Sequence, residues 1–186
     1  MPSSLSRAVA VRRSRGDSSR GAGFSRGVDV LREAVLVYLQ RIGRSELSDS
    51  EADEHARLVS ASGEMENMSA VIGRDLAPLA QALKEAEITP SKETAELLKR
   101  LLQTVEETAL SALRALVESD ERAAQAVVAK RGAILDLSSE LQRLQAARLA
   151  QDDPNRLIKH RVQLEMLDKL RRIYGVAEHM ALAVLP

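Results

Sequence analysis

Apolar residues recur at steps of three and four along most of the chain, the spacing that places them on one face of an α-helix. Val28, Leu31, Val35, Tyr38, Leu39 and Ile42 mark a first short helix. Gly43 follows it at the position where a left-handed glycine commonly ends a helix. Ser48 and Glu51 have the spacing of a capping box, the serine oxygen meeting the third backbone N–H and the glutamate reaching back. They predict the start of a second helix with a buried stripe of Leu58, Ala61, Met65, Met68, Ile72, Leu76, Leu79 and Leu83. Pro78 interrupts that stripe. It has no N–H to donate and its ring crowds the carbonyl of Arg74, so a kink or pause is expected over 74–78.

Thr89 before Pro90 signals a third helix, with a seam of Leu98, Leu102, Val105, Ala109, Ala112 and Leu116. Ser119, with Asp120 and Glu121 behind it, has the composition of a helix start and predicts a fourth helix to about Gln151. Its seam is Ala123, Val127, Ile134, Leu137, Leu141 and Leu144, and Lys130 takes a step where an apolar residue is expected. The Lys130 stem then packs while its ammonium snorkels outward, or pairs with an acid of a neighbouring helix. Asp153 and Pro154 suit the cap and first turn of a last helix carrying Met166, Leu170, Ile173, Ala177, Met180 and Val184. Five helices with short links predict an all-α antiparallel bundle.

Composition agrees with that class. In 186 residues there are one Phe, two Tyr and no Trp, too few aromatics for a β-sandwich, while Ala, Leu, Glu, Arg and Gln abound. The absence of cysteine removes disulfides, thiolate metal sites and a cysteine nucleophile, and suits a reducing compartment such as the cytoplasm. No apolar run approaches the ~20 residues of a membrane-spanning helix.

Net charge is zero but unevenly placed. Residues 1–27 carry Arg7, Arg12, Arg13, Arg15, Arg20 and Arg26 against the single acid Asp17, which leaves the remainder net acidic. That segment, rich in Ser, Gly and Arg, lacks the periodicity to offset the entropy of ordering it and is expected to be a disordered leader, with 28–186 forming the bundle. The leader has no aromatic for base stacking apart from Phe24, which counts against a nucleic-acid partner.

No phosphate loop, zinc-type His-Glu-x-x-His pair or Gly-x-Ser-x-Gly elbow occurs, and His55, His160 and His179 are far apart in sequence. The expectation is a protein that is not an enzyme. Ser62, Glu66, Ser69 and Gly73 form a strip of small residues beside Met65 and Met68. Glu66 on that strip is either a partly buried acid needing a cation or an ordinary flanking charge. Arg171 and Arg172 are solvated charges or a docking patch for an acidic partner or phosphate.

The segment SASGEMENMSAVI, Ser60 to Ile72, resembles a PhoU-type helix written A-N-D-L-E-R-I-G-D-I-I, with Met65, Glu66 and Met68 on its Leu, Glu and Ile. Gly63 and Glu64 stand for its Asn-Asp pair. LEMLDKLRRIYGVAEHMALAVL is similar to the closing helix of the PhoU-like domain of bacterial sodium/phosphate cotransporters. There Leu164, Leu167, Leu170, Arg172 and Ile173 agree with L-x-x-L-R-D-L-K-R-I-N-S-H, while Tyr174, Gly175 and Val176 replace its Asn-Ser-His. Between them, Arg131, Ile134, Glu140, Arg148 and Leu149 agree with the family's fourth helix.

The resemblance covers about residue 28 to the end and implies a PhoU-like helical module in sodium-dependent phosphate transport or its regulation. Its partner would be a membrane transporter or a phosphate-signalling protein at the cytoplasmic face of the membrane. PhoU metal sites use acids four residues apart. Here Ala70 stands four after Glu66, so neither metal nor other cofactor is expected, and no small-molecule substrate. Glu64, Glu66, Lys130, Arg171 and Arg172 are the candidate docking or buried-charge residues. Family members begin this domain with a further long helix. A chain entering near that helix's end would leave an apolar groove along Val28 to Ile42, so homodimerisation or capture of a partner helix is expected. The alternative is a helical oligomerisation protein whose basic tail contacts nucleic acid.

Overall fold

The computed structural model describes residues 30–31, 33–85, 87–150 and 156–186, and these are helical apart from short connections, with no strand among them. Residues 33–42 form α1, with 30–31 also helical. Then follow α2 (Asp49–Ala70), a π-helical turn (Val71–Leu76), α3 (Ala77–Glu85), α4 (Lys92–Glu118), α5 (Glu121–Ala129), α6 (Arg131–Leu149) and α7 (Arg156–Leu182). All five expected helical segments are present, the second and fourth each divided. The leader, Val28 and the Asp153–Pro154 cap lie outside the described residues.

Two core clusters fix the topology. In one, Leu97, Leu101 and Val105 of α4 meet Leu167, Leu170, Ile173 and Tyr174 of α7, with Val71 on one side and Ile134, Leu137 and Leu141 of α6 on the other. In the second, Ala112, Ala115 and Leu116 of α4 meet Val176, Ala177, Met180 and Ala181 of α7, flanked by Ala61 of α2 and by Ala124 and Val127 of α5. Early α4 therefore lies beside early α7 and late beside late, so these two helices run parallel. The α2–α3 segment and the α5–α6 segment run against them. Neighbours in sequence are antiparallel, as expected, while the most extensive pairing is the parallel one between α4 and α7.

The disturbance expected at Pro78 takes the form of the π turn. The Ala77 N–H donates to the Ile72 carbonyl, five residues back, so the turn ahead of the proline is one residue wider than an α-turn. Widening relieves the crowding that a proline ring imposes on the preceding turn. It also moves the apolar register: Val71 is buried and Leu76 packs on the same cluster five residues later, whereas Ile72, expected inside, is more than a third exposed at 38%.

Other expectations shift by a residue or two. The α4 seam runs through Leu97 and Leu101, and Leu102 is half exposed. Helix α4 starts after Ser91, whose hydroxyl oxygen accepts the Thr94 N–H at 3.3 Å, so the N-cap is not Thr89. In α5 and α6, Ala124, Ser138 and Gln145 are buried where Ala123 and Leu144 were expected. In α7 Leu167 is buried in place of Met166, while Leu170, Ile173, Ala177 and Met180 are buried as expected. The Ser48–Glu51 capping box is present, with the Ser48 N–H donating to Glu51 Oε2 at 2.9 Å.

Gly43 is not left-handed. A Cβ at Gly43 would lie 3.0 Å from His55 Cε1. Glycine is used there to admit the His55 ring, whose Nε2–H donates to the Leu39 carbonyl at 2.7 Å and ties α1 to α2. Ser119 does not cap α5 either. It ends α4 in the left-handed region at φ 52°, with the Asp120 N–H closing back on the Ala115 carbonyl at 2.9 Å. Asp120 is the N-cap, accepting from the Arg122 and Ala123 N–H groups at 3.0 and 3.1 Å.

A left-handed non-glycine residue carries a conformational cost of ~1–2 kcal/mol that glycine avoids. Ser119→Gly should therefore raise stability by about 1 kcal/mol, a Tm increase of roughly 2–4 °C for a domain of this size. An unchanged or lower melting temperature would mean that the lost Arg57 to Ser119 hydrogen bond, 3.2 Å long, outweighs the backbone gain.

Candidate functional site

On the face opposite α5 and α6, α2 leans on α7 more closely than on α4 and leaves a groove between α2 and α4. Met65, Met68 and Ile72 form one wall, Leu110 and Leu113 the other, with Met180 of α7 between them, around a cavity of about 190 Å³. Among the described residues, Ser69 is the only polar one lining it. The groove follows from a second apolar stripe on α4. Leu97, Leu101, Val105, Thr108 and Ala112 face the core, while Leu98, Leu102, Ala109, Leu113 and Val117 recur on the adjoining flank.

These side chains are accessible: Met65 is 41%, Leu110 63% and Val117 67% exposed. Methionine is unbranched and adapts its shape, which suits a surface that accepts an apolar helix. The walls offer no nucleophile, acid or base. On α1, Leu39 is the sole residue of the described set that is buried, and Val30, Leu31, Val35, Val37 and Tyr38 face solvent, Tyr38 at 64%. An apolar groove was expected along this helix; over the described residues the helix shows an exposed apolar face.

The five sequence candidates are spread over three elements. Glu64 is half-buried on α2 and accepts from the Asn67 amide at 3.4 Å; Glu66 is also half-buried. On the same strip Ser62 is buried, its hydroxyl donating to the Leu58 carbonyl at 3.1 Å, and Ser69 enters the groove wall. Lys130 does not occupy a packed seam: it is exposed at the joint between α5 and α6, where the chain tightens with its N–H on the Val127 carbonyl at 3.1 Å. Arg171 and Arg172 are exposed on α7. Their neighbour Lys169 instead reaches Asp75 of the π turn at 3.4 Å and secures that turn to α7.

Among the described residues there is no cluster of three or more His, Asp or Glu placed to hold a metal ion, and no helix long and apolar enough to cross a membrane. Leu110 and Leu113 were missed as functional residues from the sequence. The signal was present in the paired leucines of α4, which make two adjacent stripes where one seam was read.

One group has a strongly displaced pKa. Burial, reinforced by donation to Glu178 Oε1 at 3.0 Å, pushes the Tyr174 phenol up to about 12. Glu178 also lies 3.8 Å from Arg131 Nε at the start of α6. Displaced pKa values often mark active sites. Here the phenol belongs to the core cluster shared with α4 and α6, and its role is to close that core.

No family model, curated protein or solved structure matches this chain. Functional inference therefore rests on its own residues and on the motifs quoted above.

Because the folded Tyr174 pKa lies above its unfolded value near 10, the neutral phenol favours the folded state. This contribution is whole below pH 10 and is lost as pH rises from about 10 to 12. Tyr174→Phe should cost about 0.5–1.5 kcal/mol at neutral pH through the missing hydrogen bond. It should also flatten the alkaline loss of stability between pH 10 and 12, measured by urea unfolding across that range.

Proposed function

We propose that this chain is a non-catalytic, PhoU-like helical module that works by helix docking and serves sodium-dependent phosphate transport or its regulation. The observation that carries the docking part is the Met65, Met68, Ile72, Leu110, Leu113 and Met180 groove, an apolar channel between two helices. The phosphate part is supported by the motif resemblance at Ser60–Ile72, Arg131–Leu149 and Leu164–Ile173.

The occupant of the groove is α1 of a second copy. Ten large apolar side chains stand exposed on the two surfaces: Met65, Ile72, Leu102, Leu110 and Val117 on the groove side, and Val30, Leu31, Val35, Val37 and Tyr38 on α1. A two-fold exchange covers both sets twice. At half exposure they supply on the order of 1,000 Å² of apolar surface, which with flanking polar atoms reaches the ~1,200–2,000 Å² of a stable interface. The dimer so formed docks on a transporter or phosphate-signalling protein at the cytoplasmic face of the membrane.

Light scattering on the full chain should give the mass of two copies. Leu110→Glu should weaken the dimer by roughly 30-fold or more, the effect of a central hot spot at about 2 kcal/mol, with little change in Tm because Leu110 is exposed in the single chain. A mass of one chain at the highest soluble concentration sinks the dimer. For the transport part, wild-type chain added to vesicles carrying a cotransporter membrane half should change sodium-dependent phosphate uptake. Equal uptake with and without it defeats that assignment.

A further inference from the structure

Three of the chain's five methionines, Met65, Met68 and Met180, converge on the docking groove, and the fold holds them at different depths. Met180 is 2% exposed within one core cluster, and Met68 packs partly buried against both clusters. Met65 belongs to neither cluster and stands 41% exposed on the α2 wall. Met166, on α7 and away from the groove, is half-buried. The fold therefore shelters the methionine sulfurs that its core needs and leaves open the one that only the groove uses.

The thioether is the one group on these walls that a mild oxidant alters. Hydrogen peroxide transfers a single oxygen to it. The sulfur lone pair attacks one peroxide oxygen, an S–O bond forms and the O–O bond breaks, and the departing oxygen takes up the proton and leaves as water. Sulfur is oxidised and the peroxide reduced, by the same electron pair. The product is a sulfoxide, whose oxygen is a hydrogen-bond acceptor where the groove had an apolar, adaptable side chain. Between the groove and α1 of a second copy, the hydroxyls of Ser69 and Tyr38 are the only side-chain donors of the two apolar sets. Burying a polar oxygen among apolar groups is unfavourable, whereas water satisfies it fully in the separated chain. Oxidation thus favours the separated chain.

We propose that Met65 is an oxidation switch for the groove: its sulfoxide opens the dimer, and reduction of the sulfoxide restores it. The switch rests on the reading of the groove as the surface that takes α1 of a second copy. In the dimer that helix shields Met65, so peroxide reaches the sulfur when the chains are apart, and each oxidised chain is withdrawn from pairing by mass action. The bundle itself is spared, because Met68 and Met180 keep their places in the core.

Treating the full chain with hydrogen peroxide at neutral pH tests this, with peptide mass spectrometry following each methionine and light scattering reading the assembled mass. Met65 should gain its oxygen roughly tenfold faster than Met68, Met166 and Met180, and more slowly as the chain concentration rises. The mass of two copies should give way to that of one, the dimer weakening by roughly tenfold or more, and methionine sulfoxide reductase should bring it back. At concentrations where chains are single, Tm should not change on oxidation. Met65→Leu keeps the volume and the apolar character, so it should pair as wild type does and stay paired in peroxide. A single-chain mass before treatment defeats the dimer reading and the switch with it. The switch alone is overturned if two-copy mass persists with Met65 fully oxidised, if Met65 and Met166 oxidise at equal rates, or if peroxide separates Met65→Leu as it separates wild type.

Discussion

The parallel contact between α4 and α7 is the constraint on which the rest of the bundle depends. At one end it is made by Leu97, Leu101 and Val105 against Leu167, Leu170 and Ile173, and at the other by Ala112, Ala115 and Leu116 against Val176, Ala177, Met180 and Ala181. Alanines let two helix backbones approach closely, whereas larger side chains hold them further apart. With this pair central, α5 and α6 close one side with Ala124, Val127, Ile134 and Leu141. The α2–α3 segment covers the other side through Ala61 and Val71. It does not seal against α4, and the groove is what remains.

The helical period was plain in the sequence and the phase was not. Helix α4 carries Leu97, Leu98, Leu101 and Leu102, two neighbouring stripes of equal hydrophobicity. Periodicity alone gives no reason to prefer one, and the seam was placed on the stripe that proves half exposed. The deciding residues were Thr94 and Thr108, buried on the true face because a threonine hydroxyl can return its hydrogen bond to its own helix. On α2 the misplacement has another cause. Pro78 announced a disturbance, but a kink and a π turn answer the same clash, and only the π turn changes which residue of Val71 and Ile72 faces inward.

The same limit governed the site. Single charged residues were singled out by their neighbours in sequence, and Lys130, Arg171 and Arg172 are exposed. The cavity at the end of the bundle draws Gln145 and Arg148 from α6, His160 and Gln163 from α7, and Thr89 to Ser91 from the turn before α4. No local motif could assemble them. Gln145 was equally hidden, since a glutamine on an amphipathic helix is ordinarily solvent-facing and only the packing of α7 over α6 encloses it.

The resemblance to PhoU-type helices and the charge pattern of this chain bear on each other. Acids four residues apart on one face can offer oxygen ligands to a single cation, and here Glu66 is followed by Ala70. At the end of the bundle where α6 finishes, Gln145 is a buried amide with no hydrogen-bond partner among the described residues. The cavity beside Gln145 joins the first turns of α4 and α7 to the last turn of α6. The groove opens further along α4, past Ala109. Both α4 and α7 run from that cavity to the groove, and α4 serves the core and the groove with separate leucine stripes.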